Sequence, residues 1–149
     1  MARRIRLGLA LSLLLALSLT AAVNVAAGGQ KVFDSTMAGL TTPGQVIDGV
    51  TAAGAPWSIE EGKAILFANG RVRVEVEGLI VTALGRNPAS TGKVVVSCNG
   101  AVAATTATVP FSPEGNAEVD AIVDLPSPCF GPSVFFTSAG GSWFAVTGF

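Results

Sequence analysis

The sequence contains no histidine and no tyrosine. Without histidine there are no Ser–His or Cys–His nucleophile pairs. The imidazole ligands of most zinc, copper and iron sites are missing too. So is the side chain that most often carries protons near neutral pH. Charge is sparse, at 13% of residues, and no block of like charge occurs. No serine lies in a Gly-x-Ser-x-Gly elbow and no Cys-x-x-Cys pair is present. There is no Asn-x-Ser/Thr acceptor and no Asp-x-Asp-x-Asp-Gly calcium loop. These absences predict a chain with no catalytic residue, no cofactor and no metal ligand.

What is present begins with a signal for export. Arg3, Arg4 and Arg6 precede an uncharged, Leu-rich run from Leu7 to about Ala22, which small residues close at Ala26, Ala27 and Gly28. A basic start, an apolar middle and a small-residue end are the order of a secretory signal peptide. Residues 1–27 are therefore expected to be a helical signal peptide cut after Ala27, with Ala22 as the second choice. The alternative is an uncleaved anchor, because Leu7 to Ala27 reaches the roughly 20 apolar residues needed to span a bilayer. Contact with a membrane is expected only through this segment. The expected location is secreted, outside the cytoplasm.

Residues 28–149 then form a single domain. Three of the nine basic residues lie in the signal, so six remain against ten acidic ones, a net charge of −4. That sign argues against nucleic acid, whose phosphates need a basic footprint. Two cysteines remain, Cys98 and Cys129. In an oxidising compartment an even pair most simply forms one disulfide.

Short apolar runs separated by turn residues, with no sustained 3.6-residue period, predict an all-β domain. Asn69-Gly70 suits a two-residue type I′ turn. That turn sets Phe67 opposite Val72 and Ile65 opposite Val74, so Ile65, Phe67, Val72, Val74 and Val76 would share the apolar face. A second Asn-Gly, at Asn99-Gly100, joins the Val94-Val95-Val96 strand to the stretch Ala101–Val109. The continuous valine run predicts a strand buried on both faces. A third hairpin is expected at Pro113–Asn116. In the strand after it Val119, Ala121, Val123 and Leu125 point inward, and Glu118, Asp120 and Asp124 outward. Ser133–Thr137 and Trp143–Phe149 make a last pair around Gly140-Gly141. About eight short strands suit a small β-sandwich, immunoglobulin-like in general architecture, with a small barrel as the alternative. It is not a true immunoglobulin domain, because no Trp lies between Cys98 and Cys129.

Candidate sites are few. Glu118, Asp120 and Asp124 could hold a hard cation only if their oxygens converged, whereas alternate strand positions lie about 7 Å apart. Glu60, Glu61, Glu75 and Glu77 could supply a carboxylate pair for hydrolysis. Lys31, Lys63 and Lys93 are the only lysines for Ser–Lys chemistry. Trp57 is a possible ligand surface, with core packing as the plainer expectation. The segment from Asn69 to Leu79 resembles the strand and Gly-Leu of secreted chordin-type β domains. Those continue into a His-containing segment that this chain lacks, and the likeness implies no activity.

The sequence thus predicts an exported, non-catalytic β-sandwich that binds or supports a protein or glycan partner at the cell envelope or beyond it. The alternatives are an extracytoplasmic carboxylate-based hydrolase and a secreted inhibitor-like factor presenting the rigid Pro126–Pro132 loop.

Overall fold

A computed structural model describes residues 29–148. The expected signal peptide, residues 1–27, lies outside the described residues. Within them every regular element is a strand: β1 (Lys31–Gly39), β2 (Val46–Ile47), β3 (Val50–Thr51), β4 (Trp57–Ser58), β5 (Glu61–Phe67), β6 (Arg71–Glu77) and β7 (Ile80–Val81). Then follow β8 (Thr91–Cys98), β9 (Ala101–Thr105), β10 (Val109–Pro110), β11 (Ala117–Ile122), β12 (Ser133–Ser138) and β13 (Trp143–Thr147). The all-β expectation is met.

The sheet order is β10-β8-β12-β13-β1-β5-β6-β11, antiparallel throughout, with β9 also paired to β8. Strand β1 belongs to both halves. Residues Lys31 to Thr36 pair with β5, and Met37 to Gly39 pair with β13. The hydrogen-bonded ladder is therefore one continuous sheet. The half built from β1, β5, β6 and β11 curls like half of a barrel.

The Asn69-Gly70 hairpin forms, but its register differs from expectation by one residue. Leu66 pairs with Val72, Ala64 with Val74 and Gly62 with Val76. The turn is a three-residue loop, Ala68-Asn69-Gly70, closed by the Gly70 N–H donating to the Phe67 carbonyl at 3.0 Å. Of the pair only Gly70 has positive φ, at 82°. That is a type I turn followed by one left-handed residue, the common alternative to a type I′ turn. A one-residue slip exchanges the faces of a strand. Ala64 and Leu66 are buried beside Val72, Val74 and Val76. Ile65 and Phe67 join Arg71 and Arg73 on the outer face, with the Arg71 guanidinium 6.0 Å from the Phe67 ring centre.

The other turns divide. Asn99 and Gly100 have φ of 58° and 76° between paired Cys98 and Ala101, as a type I′ turn requires. Val94, Val95 and Val96 are all buried, as the valine run implied. The Pro113–Asn116 turn is tight, but the strands flanking it do not pair. Strand β10 bonds β8 and β11 bonds β6, so the turn carries the chain between halves. The stretch Ala101–Val109 is broken at Thr106. Its hydroxyl accepts from the Val94 N–H at 3.0 Å, replacing a ladder carbonyl.

The core draws on both halves: Leu66, Val72, Val74 and Val119 from one, Val94, Val96, Phe136 and Phe144 from the other. Gly70 stands at a point where the chain has no room. A Cβ there would press on the Val123 carbonyl, whereas one at Gly100 would meet nothing. Gly100→Ala should therefore lose only the left-handed penalty, about 1–2 kcal/mol. Gly70→Ala should lose about 2–5 kcal/mol, because overpacking adds to it. Urea midpoints compare the two, and equal losses would refute the close approach at Gly70.

Candidate functional site

The outer face of β5, β6 and β11 gathers eight of the sixteen charged side chains among the described residues. Asp120 accepts from Arg71 through both carboxylate oxygens, at 2.7 and 2.6 Å, and from Arg73 at 3.0 Å. The hydrogen bonds from Arg71, then those from Arg73, pull its carboxyl down to about 2. Lys31 and Lys63 both bond Asp34. The acidic stripe does not converge. Asp120 is spent on arginines, Glu118 stands across from Glu75, and Asp124 lies beyond the strand. Among the described residues no three acidic or thiol groups cluster at metal-binding distance.

Of the four glutamates, Glu61, Glu75 and Glu77 line one small concavity with Lys63, and Glu60 stands outside it. Glu61 pairs with Glu77 and Lys63 with Glu75 on one open face, while the Glu60 side chain lies over Gly78. All four glutamates are exposed.

Trp57 is not a surface platform. It is 5% exposed, and its ring stacks on Phe144 with centres 3.9 Å apart. Its backbone N–H donates to the Leu40 carbonyl at 2.8 Å and its ring also stacks on Phe111 with centres 6.3 Å apart, so core packing takes it.

The feature that stands out is the loop 123–132, which carries the chain from β11 to β12. Both Asn-Gly turns hold it. At one end the Val123 N–H donates to the Gly70 carbonyl at 2.9 Å. At the other, Cys129 is bonded to Cys98, the residue before Asn99. Asn99 then grips the loop three times. Its N–H donates to the Phe130 carbonyl at 2.8 Å, its side-chain amide to the Pro128 carbonyl at 3.2 Å, and its side-chain oxygen accepts from the Phe130 N–H at 3.1 Å. Pro126, Pro128 and Pro132 remove further freedom.

This clamped loop presents Phe130 to solvent, 68% exposed. Beside it runs a groove of about 470 Å³, lined by Val32, Phe67, Leu125 and Pro126 and also by Asn69, Asp124 and Ser127. Val32 is itself 60% exposed. Sequence reasoning marked the loop as rigid but missed Phe130. The signal was its position between a cysteine and Gly-Pro, where an aromatic side chain has little chain on either side to bury it.

Compared with known protein families, characterised proteins and solved structures, the chain matches none.

Two expectations follow. Cys98 and Cys129 are separated by 31 positions, so replacing both with Ala should lower stability by about 3–4 kcal/mol, read from denaturant unfolding. Asp120 has a depressed folded value, so its contribution is present above about pH 4 and is lost as pH falls towards 2. Its side chain is 33% exposed, so solvent screening limits the effect of Asp120→Asn to about 1 kcal/mol at pH 7. The gap between variant and parent should close between about pH 4 and 2; a gap that persists at pH 2 would contradict the ion pair as its source.

Proposed function

We propose that this chain is an exported, non-catalytic β-sandwich-like module that binds a protein partner through the clamped loop. The observation that carries this reading is Phe130, an aromatic side chain held in water on a loop fixed by a disulfide, three hydrogen bonds from one asparagine, and prolines. Leaving a large apolar side chain exposed forgoes about 1.5–3 kcal/mol of burial, which a partner covering Phe130 would recover. Rigidity matters because ordering a loop on binding costs affinity, and this loop is ordered beforehand. The flanking groove, of mixed apolar and polar lining, extends the surface, and buried aromatic anchors dominate protein interfaces.

The Cys98–Cys129 disulfide is the support for export, since such bonds persist in oxidising compartments. The basic and Leu-rich start of the chain accords with it. The sandwich-like description rests on core residues from the two halves of the sheet meeting in one cluster.

A photo-crosslinking residue placed at position 130 in the producing cells should yield one discrete protein adduct. The same residue at position 84, where Leu84 is also exposed, should not. Phe130→Ala should leave the unfolding midpoint unchanged. No adduct at 130, or the same adducts at both positions, would sink the proposal.

A further inference from the structure

The outer face of the β8–β12–β13 half carries a second concavity that shares no residue with the loop. The β2–β3 hairpin folds across this face. Its tip is another type I′ pair, Asp48 and Gly49, with φ of 50° and 80°. The Asp48 carboxylate accepts from the Ser97 hydroxyl at 2.6 Å, fixing the tip over β8. At the hairpin's base Ala52 bridges to Trp143, and the Ala53 N–H donates to the Trp143 carbonyl at 3.0 Å. Between this flap and strands β8 and β9 runs a groove of about 380 Å³, within the usual size of small-ligand sites.

The lining has a distinct chemistry. Lys93 supplies one ammonium, Thr51, Thr105 and Ser142 supply hydroxyls, and Val95 and Val102 supply an apolar surface. No carboxylate lines it, although acids outnumber bases ten to six beyond residue 27. Lys31, Lys63, Arg71 and Arg73 all take part in ion pairs, whereas Lys93 makes none among the described residues. The three hydroxyls likewise have no hydrogen-bond partner among the described residues. Trp143 follows Ser142, and its bridge partner Ala52 follows Thr51. Its indole N–H is buried without a partner, which leaves a donor that the fold does not use.

We propose that this groove binds an acidic saccharide unit. Its carboxylate meets the Lys93 ammonium, its ring hydroxyls exchange hydrogen bonds with Thr51, Thr105 and Ser142, and its C–H face rests on Val95 and Val102. One ammonium matches one carboxylate. A polyphosphate would call for further cations or an arginine fork, and the groove has neither.

The test is an NMR titration of the 15N-labelled protein with digalacturonic acid. A neutral galactose disaccharide and inorganic phosphate serve as separate arms. Amide peaks of Gly49–Thr51, Thr105 and Gly140–Ser142 should shift with the acidic sugar. Of the two indole peaks, that of Trp143 should move and that of Trp57 should stay. Lys93→Gln should weaken binding about tenfold or more. Lys63→Gln, on the β5 strand, should leave it unchanged, and the edge substitution Thr105→Ala gives an independent weakening. The proposal is overturned if the neutral sugar binds as tightly, if phosphate alone reproduces the affinity and shifts, if no peak moves at millimolar sugar, or if both Lys93→Gln and Thr105→Ala bind like the parent.

Discussion

Strand β1 is the backbone link on which the rest of the structure depends. Its first six residues satisfy β5 and its last three satisfy β13, so it is the single strand shared by the two halves. Backbone N–H and C=O groups in a protein interior need partners, and β1 finds them by dividing its length between two neighbours. The change falls between Thr36 and Met37. The packing there is close: a Cβ on Gly62 would strike the side chains of Met37 and Ile59, and one on Gly39 would strike the Trp57 carbonyl. Val74 from one half and Val96 from the other lie in one core.

Because the sheet is joined at β1, its far ends must be tied by connections. The turn after β10 does this on one side. The Leu79 N–H donates to the Gly115 carbonyl, and the Gly78 N–H to the Asn116 side chain, each at 3.0 Å. The buried Asn87 amide adds bonds to the carbonyls of Ala89 and Ser112 at 2.7 and 2.8 Å. The loop 123–132 ties the other side. Surfaces that contact partners tend to lie on such connections, since a rigid scaffold positions them and the core does not restrict their side chains. The two proposed surfaces accord with that tendency: one is the tie itself, the other lies under a hairpin laid across the sheet.

Much of the fold was legible from local chemistry. The Asn99-Gly100 turn, the doubly buried valine strand, the alternation of β11 and the cysteine pairing each rest on a constraint that few residue types satisfy. The register of β5 was not legible, for a specific reason. Ala64, Ile65, Leu66 and Phe67 are all apolar, so either face could have been the buried one. The Asn-Gly signal suits both a two-residue and a three-residue turn, and tertiary packing of Leu66 chose between them. The Asp48-Gly49 turn carried the same kind of signal and passed unread, because its strands are only two residues each. The glutamates and Trp57 were named for their chemistry alone, and one-dimensional spacing could not foresee an open face for the first and an aromatic stack for the second.

The core and the loop 123–132 are held by different means. The core is apolar and draws on residues from both halves, whereas the loop 123–132 owes its shape to a covalent bond, one asparagine and its prolines. Phe130 contributes nothing to the core at 68% exposure, so its replacement leaves the fold alone. Reducing the Cys98–Cys129 bond removes a constraint on the loop together with the roughly 3–4 kcal/mol that the cross-link contributes to the fold. The shape of the loop and the stability of the fold are therefore both tied to redox conditions. A surface with that dependence is of use where disulfides endure, which joins the reading of the loop to the reading of the chain's basic, Leu-rich beginning.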